Sequence, residues 1–251
     1  MILMYHHVCP PERVPARQAP MEGWQYTLAP DLFRRQLQII QQRGWCFVPL
    51  ADYTAGLLDG TAHKRRLAAI TFDDGWRDNW EFAVPMLAEM KLPATIFVVS
   101  SDMADISADR RMTGVQLQQL GSFGIAVGAH SRTHPRLTSL NKSDLQAEVQ
   151  GARRELQDVT GTDVTFFAYP GGRFNRAVVD AVQAAGYTAA CSVIGLASNN
   201  QSSLFWLYRD VFSDYCNTWR DRLRMSAAFR TCVGWRAARR VHQSLRQNGN
   251  R

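Results

Sequence analysis

Short apolar segments alternate with amphipathic ones along most of the chain, and this alternation restricts the possible fold more than any other feature. The apolar runs at 94–99 and 165–168 have the length of strands, whereas Leu145, Val149 and Leu156 recur at helical spacing between them. Strands that alternate with helices predict βαβ units and a parallel sheet. Six or seven strands in 251 residues, with polar residues at their ends, favour an α/β barrel over an open sheet.

One of these strands, at 69–72, ends directly in Asp73, Asp74 and Gly75. The carboxyl ends of parallel strands carry the functional residues of many α/β proteins. Neighbouring residues on a strand point to opposite sides, so the two carboxylates are suited to two different roles. A turn at Gly75 would let both reach one cavity. An acidic turn that caps a helix beginning near Trp76 is the alternative for the same residues.

Histidines follow two other strands. His130 and His134 come directly after the strand at 125–128, and His6 and His7 end the first strand of the chain. The spacing i, i+4 predicts that His130 and His134 present their imidazoles on one side of a helical turn, which suits a divalent metal ion. A carboxylate from a neighbouring strand end would complete a facial set of ligands and leave positions open for water and substrate.

The positive charge is concentrated near the end of the chain. Residues 220–251 hold nine Arg and one Asp, whereas residues 1–219 hold 20 basic and 21 acidic residues. A near-neutral body argues against a nucleic-acid-binding protein, whose charge should line a groove within the fold. We expect the residues at 213–251 to form a basic helical tail. Such a tail could contact anionic lipid or another acidic partner, or remain solvated with its Arg side chains exposed.

Targeting and redox signals are weak. No apolar run approaches the roughly 18 residues of a membrane span, and the first residues lack a basic region and a cleavage-site pattern. The five scattered cysteines contain no C-x-x-C pair, so they predict neither a disulfide framework nor a thiolate zinc site. We expect a cytoplasmic protein that can associate with membranes through its tail, although a truncated sequence would look the same.

Three motifs occur in a fixed order: TFDDG at 71–75, HSRTHP at 130–135 and YPGG at 169–172. Together they resemble the polysaccharide deacetylase family. The opening MYHHV at 4–8 is similar to the branch of this family that acts on the amino sugars of exopolysaccharides. The resemblance implies a single catalytic domain over about 1–212 with a distorted barrel of the (β/α)7 type. It also implies metal-dependent removal of N-acetyl or O-acetyl groups from a carbohydrate substrate.

The same resemblance implies roles for individual residues. Asp74, His130 and His134 would hold the divalent metal, with zinc as the expected ion. Asp73 would be the general base that takes a proton from the attacking water. The backbone N–H of Gly171 would stabilise the oxyanion. The expected reaction is hydrolysis of an N-acetyl group with release of acetate, and O-acetyl ester hydrolysis in the same site is the alternative.

The sequence departs from the family pattern at three places. Ala168 occupies the position of an Arg that usually orients the base, and Gly171 replaces an aromatic residue, which would open the pocket wall. A late Leu-x-His motif, which usually supplies the general acid, is absent. Because these groups are missing, a catalytically inactive glycan-binding protein is an alternative to the enzyme.

Two residues are candidates to replace the missing groups. Arg209 could supply the guanidinium, although a surface ion pair with Asp210 would give the same sequence. His6 is our preferred proton donor, because the similar branch keeps a histidine directly after that tyrosine. His7 and Asp73 are the alternatives for the donor.

Overall fold

The structure is a computed structural model, and it describes residues 1–13, 26–104, 110–195, 198–211 and 245 of the chain. These residues contain ten strands and six α-helices. The strands are β1 (Ile2–Tyr5), β2 (His7–Val8), β3 (Thr27–Leu28), β4 (Cys46–Phe47), β5 (Leu67–Phe72), β6 (Ala94–Val98), β7 (Ile125–Ala129), β8 (Phe166–Ala168), β9 (Ala189–Cys191) and β10 (Asp210–Val211). The helices are α1 (Pro30–Gln42), α2 (Leu50–Leu58), α3 (Val84–Met90), α4 (Gly114–Gln119), α5 (Lys142–Thr160) and α6 (Arg176–Ala184).

Eight of the strands form one parallel sheet that curls into a distorted barrel. The order is β10-β1-β5-β6-β7-β8-β9, and β4 pairs with β5 beside this path. The two ends approach each other at Leu207, whose N–H donates to Ala190 O (2.8 Å) and whose carbonyl accepts from Ser192 N (2.9 Å). From there the chain enters β10, which pairs with β1. The predicted barrel is confirmed, with eight strands in place of the expected six or seven.

The core lies on both sides of this sheet. β5 and β6 are buried along their whole length, which explains why their sequences are almost continuously apolar. Outside the barrel, α5 covers the strands with the predicted face that contains Leu145, Val149 and Leu156. Inside, the ring of Phe97 fills space that a side chain at residue 128 would need, because a Cβ on Gly128 would lie 2.5 Å from that ring.

Local sequence signals fix several helix ends. Asn141 and Asn175 cap α5 and α6 by accepting from Asp144 N (2.9 Å) and Val178 N (3.0 Å). A wider π turn at Asn79–Ala83 leads directly into α3. Pro85 lies at the junction, and its missing N–H interrupts the regular α-helical hydrogen bonds there.

The proposed basic tail at 213–251 falls outside the described residues except for Leu245, so its helical structure remains a prediction. Within the part of the chain that the structure describes, no helix combines the length and the apolar character that crossing a membrane requires.

Candidate metal-binding active site

The two adjacent carboxylates reach the same edge of the barrel because the backbone turns between them. The N–H of Asp73 still donates to Tyr5 O at 3.0 Å, as an extension of the pairing between β5 and β1. Asp74 and Gly75 then adopt left-handed conformations, with φ of 73° and 69°. The turn therefore begins one residue earlier than predicted. Because this conformation costs a non-glycine residue about 1–2 kcal/mol, its surroundings must hold Asp74 in place.

Asp74 lies against both histidines of the second motif. Its Oδ1 is 3.5 Å from His130 Nε2 and 3.6 Å from His134 Nε2, and the three possible ligand atoms all lie within 4.8 Å of one another. Tetrahedral zinc with bonds of roughly 2.0–2.2 Å separates its ligand atoms by about 3.3–3.6 Å. The two separations that involve Asp74 match this geometry, so the three side chains could hold a divalent ion and leave a position for other ligands. The side chain of His134 is 43% exposed, so the site is open to solvent.

The two histidines do not share a helical turn, and that part of the prediction is wrong. Ser131 and His134 have left-handed φ angles of 61° and 58°, and the segment between them is irregular. Backbone hydrogen bonds to the residues after β6 shape this loop, namely Ser100 N to Ser131 O (3.3 Å) and Ser101 N to Arg132 O (2.9 Å). The imidazole rings nevertheless approach each other, with centroids 4.8 Å apart.

A backbone carbonyl sets the tautomer of His130. Its Nδ1 lies 2.8 Å from Ala168 O. Because a carbonyl can only accept, Nδ1 must carry the proton, and the lone pair of Nε2 is free for a metal ion. Burial lowers the pKa of His130 to about 4, so the ring is neutral near pH 7, as a ligand must be.

The sequence alone did not identify the residues that orient Asp74. The indole N–H of Trp76 donates to Asp74 Oδ2 (3.1 Å), and Arg111 Nη1 donates to the carbonyl oxygen of Asp74 (2.8 Å). The guanidinium of Arg111 also stacks on the Trp76 ring at 3.4 Å. Burial alone would raise the pKa of Asp74, but the cationic forms of His130 and His6 and the charge of Arg111 hold it below its ordinary value.

Asp73 has a separate partner, which is Arg209. The guanidinium donates from Nη1 to Asp73 Oδ1 (2.6 Å) and from Nη2 to Oδ2 (2.7 Å). The side chains of Arg209 and Asp73 are 0% and 2% exposed, so a surface ion pair between Arg209 and Asp210 is excluded. Burial would raise the pKa of Asp73, but Arg209 and His130 hold it well below the ordinary value. The carboxylate is therefore ionised at neutral pH.

Arg209 is itself fixed on several sides. Its Nε donates to Ser192 O (2.8 Å) after β9, and its Nη1 also donates to Thr71 Oγ1 (3.2 Å) on β5. The guanidinium carbon lies 5.5 Å from the centre of the Phe97 ring inside the barrel. These contacts place the guanidinium in one orientation towards Asp73.

The neighbouring histidines His6 and His7 have different surroundings. His7 forms a 2.5 Å hydrogen bond from Nδ1 to Asp78 and lies over the Trp76 ring at 4.2 Å. His6 stacks on Tyr26 at 4.7 Å, and its buried Nδ1 has no hydrogen-bond partner among the described residues. Burial lowers the pKa of His6, while the negative charges of the two adjacent Asp residues oppose this shift. The charges of Asp73 and Asp74 therefore act on His6, as they do on His130.

The third motif forms a tight turn at Pro170–Gly172 after β8. Gly171 has a left-handed φ of 58°, and a Cβ at this residue would meet no atom within 4 Å. The space beside Gly171 is therefore open, in line with the missing aromatic side chain. The turn follows Ala168, whose carbonyl holds His130.

The chain matches a family model described as polysaccharide deacetylase over residues 60–190, which is more than half of its length and includes all three motifs. His6 and Arg209 lie outside this match.

Similar proteins support the same assignment. YxkH of Bacillus subtilis (strain 168), a candidate polysaccharide deacetylase, is 23% identical over 210 residues, which cover 83% of this chain and 69% of YxkH. The Streptococcus pyogenes deacetylase PplD has the same fold, with a TM-score of 0.73, 23% identity, and coverage of 84% of this chain and 91% of PplD. A de-N-acetylase from Aggregatibacter actinomycetemcomitans gives a TM-score of 0.74 at 17% identity, covering 89% and 98% of the two chains. With the family model matched across its motifs, the chain belongs to the polysaccharide deacetylase family.

Proposed function

We propose that this deacetylase is a metal-dependent N-deacetylase, which hydrolyses the acetamide group of an amino-sugar glycan and releases acetate. The observation that carries the proposal is the separation of two adjacent carboxylates. Asp74 lies against two imidazoles, at 3.5 and 3.6 Å, whereas Asp73 is bound by a guanidinium. One carboxylate is thus available as a metal ligand, and the other remains free of the ion.

Asp74, His130 and His134 would hold the ion, and we propose zinc. When bound, a divalent cation at this position would polarise the acyl group and make a water molecule more acidic. The ion would fit the donor set because His130 presents a neutral Nε2.

Asp73 acts as the general base in this proposal. Its carboxylate takes one proton from the attacking water, whose oxygen then adds to the acyl carbon. Arg209 keeps Asp73 ionised and directs its oxygens, since Nη1 and Nη2 donate to the two carboxylate oxygens in a fixed bidentate geometry. The N–H of Gly171 is proposed to donate to the developing oxyanion, and one such donor typically lowers a barrier by about 2.7–4 kcal/mol.

The leaving amine needs a proton when the C–N bond breaks. Hydrolysis removes one proton from water and returns one to the amine nitrogen. We assign the return to His6, because its buried Nδ1 has no hydrogen-bond partner among the described residues and the charges of Asp73 and Asp74 favour its protonated form. Return of the proton by Asp73 itself is the alternative, and His7 is less suited because Asp78 already binds its Nδ1.

N-acetyl groups are the preferred substrate for two reasons. The MYHHV sequence is similar to the branch that acts on exopolysaccharide amino sugars, and one structural neighbour is named a de-N-acetylase. The test compares acetate released from N-acetylglucosamine oligomers and from acetylated xylan, each with and without a chelator. We expect release from the oligomers, loss with the chelator and recovery with zinc. Release from xylan alone would favour the O-acetyl esterase.

The Asp73→Asn variant separates catalysis from simple glycan binding. The enzyme proposed here should lose about 10²–10⁴-fold in rate while it retains the metal, since general base catalysis contributes this much. An inactive glycan-binding protein is the second candidate, because the Leu-x-His motif is absent. It predicts that acetate release stays at background and is the same in the wild-type protein and in Asp73→Asn.

A further inference from the structure

We propose that Glu148, on helix α5, is a positioning residue for the metal site. Its carboxylate fixes the backbone of the loop that joins His130 and His134 and so determines how strongly the site holds its ion. This inference rests on the proposed metal-dependent function. It assigns a role to a residue that lies outside all three sequence motifs.

The contacts of Glu148 converge on two successive residues of the loop. Its Oε2 accepts from the backbone N–H of Arg132 (2.9 Å) and from that of Thr133 (2.9 Å). Its Oε1 accepts from the hydroxyl of Thr133 (2.6 Å). A single side chain therefore satisfies three donors, and two of them are backbone groups midway between the histidines.

The loop requires such support because its backbone is unfavourable. Ser131 and His134 both have left-handed φ angles, which non-glycine residues keep only where the surrounding structure holds them. The loop itself contributes one contact, in which the N–H of His134 donates to Ser131 Oγ (3.0 Å). Charged acceptors form stronger hydrogen bonds with N–H groups than neutral ones do. Glu148 is thus the main side chain that can keep the loop in this conformation.

The two histidines depend on this loop to different extents. His130 is buried and is held separately by Ala168 O. The side chain of His134 is 43% exposed, and the backbone is left-handed both at His134 and at Ser131 before it. We therefore infer that Glu148 acts mainly by directing His134 towards Asp74.

Glu155 offers a matched control on the same helix. It has the same charge, but it accepts from the side chain of Arg132 (Nε, 2.6 Å) and from Ser100 Oγ (2.5 Å). Neither contact involves a backbone group of the loop. If Glu148 acts through the loop backbone, removal of Glu155 should affect metal binding much less.

The experiment measures zinc affinity by competition with a chromogenic chelator in the full-length wild-type protein and in Glu148→Ala, Glu148→Gln and Glu155→Ala. Removing a residue that orients metal ligands typically weakens metal binding by about 10–100-fold, which is the change expected for Glu148→Ala. Glu148→Gln should keep most of the affinity, because an amide oxygen can accept both N–H groups and its NH₂ can donate to the Thr133 hydroxyl. Melting temperatures of the metal-free proteins check that each variant folds.

Amide hydrogen exchange of the metal-free protein supplies a second readout. Exchange at Arg132 and Thr133 should accelerate in Glu148→Ala and stay at the wild-type rate in Glu155→Ala. Wild-type zinc affinity in Glu148→Ala, or an equal loss in Glu155→Ala, would overturn the inference. Unchanged exchange at both amides would overturn it whatever the affinity. If the wild-type protein binds no zinc, the proposed function fails as well, and this outcome is distinct from a failure of Glu148 alone.

Discussion

Replacement of Arg209 by alanine is expected to leave Asp73 as an unpaired carboxylate in the barrel interior. The two side chains are 0% and 2% exposed and share two hydrogen bonds, of 2.6 and 2.7 Å. Removal of one partner from a buried ion pair costs about 3–5 kcal/mol. For a chain of this size, each kcal/mol lowers the melting temperature by about 2–4 °C, so we expect a decrease of about 6–20 °C.

The pH dependence of this loss tests its cause. In the wild-type protein the pKa of Asp73 lies below its ordinary value, so the stabilisation by the ion pair is present above about pH 4 and is lost as the pH falls through the native pKa. Without the positive charge of Arg209, the effect of burial is no longer offset by an ion pair, so the pKa of Asp73 rises. Protonation then relieves the unpaired charge, so the stability difference between variant and wild type should narrow as the pH falls from 7 towards 4.

Chemical denaturation at several pH values measures this difference, and acetate release measures the loss of the base. Arg153→Ala is a suitable control. That side chain also donates to carbonyls, Val164 O (2.9 Å) and Ala185 O (3.1 Å), but its acidic neighbour Asp163 is largely exposed. The Arg153→Ala variant should lose stability by an amount that does not change with pH, and it should keep its activity. A stability loss in Arg209→Ala that is equal at pH 5 and pH 7.5 would refute the reasoning.

A second substitution can test whether the guanidinium itself is what Asp73 requires. The family pattern places an Arg at residue 168, and Ala168 contributes to the interior cluster that also contains Phe97 and Leu207. Ala168→Arg in the Arg209→Ala protein should therefore recover part of the activity. In the wild-type background the same change should destabilise the fold, because two guanidinium groups would occupy one buried space. Absence of any recovery would show that the position of the guanidinium directly before β10 matters in itself.

Three further predictions concern the proton donor, the metal and the tail. His6→Gln should lower acetate release far more than His7→Gln. It should also remove the decline in activity that deprotonation of His6 causes as the pH rises. Equal losses of acetate release in the two variants would reject the assignment to His6. His134→Ala should weaken zinc binding by at least about 10-fold, and unchanged affinity in a chelator competition would exclude it as a ligand. Deletion of 220–251 should reduce binding to anionic liposomes at low salt, and unchanged binding would exclude this segment as a membrane contact.

The sequence was most informative about elements whose structure depends on local signals. The buried strands β5 and β6 were visible as continuous apolar runs, and the helical spacing of Leu145, Val149 and Leu156 identified the buried face of α5. The grouping of Asp74 with His130 and His134 could be expected because all three follow parallel strands, whose carboxyl ends meet at one rim. The motifs supplied the residue types, and the topology supplied their proximity.

The irregular backbone conformation of the site was harder to predict from the sequence. The i, i+4 spacing of the histidines suggested a helical turn. Hydrogen bonds that Ser100 N and Ser101 N donate to the loop, and those that the Glu148 carboxylate accepts from it, impose a loop with left-handed residues instead. These partners lie 15 or more residues away from the loop in sequence, and no periodic pattern marks them. Arg111 is similar, since it reaches Asp74 from a segment 37 residues further along the chain. Spacing within a motif therefore gave the ligand types but not the conformation that presents them.

The position of Arg209 shows why a departure from a family pattern need not remove a chemical group. In a closed barrel the last strands return to the first, so β10 brings residue 209 within hydrogen-bonding distance of Asp73, although 136 residues separate them. Gly128 leaves room for the Phe97 ring, which lies beside the Arg209 guanidinium inside the barrel. What the site requires is a buried cation at one point in space. A search for the missing residue in such folds should therefore examine every inward-facing position on the strands that close the barrel, and not only the motif in which the residue usually occurs.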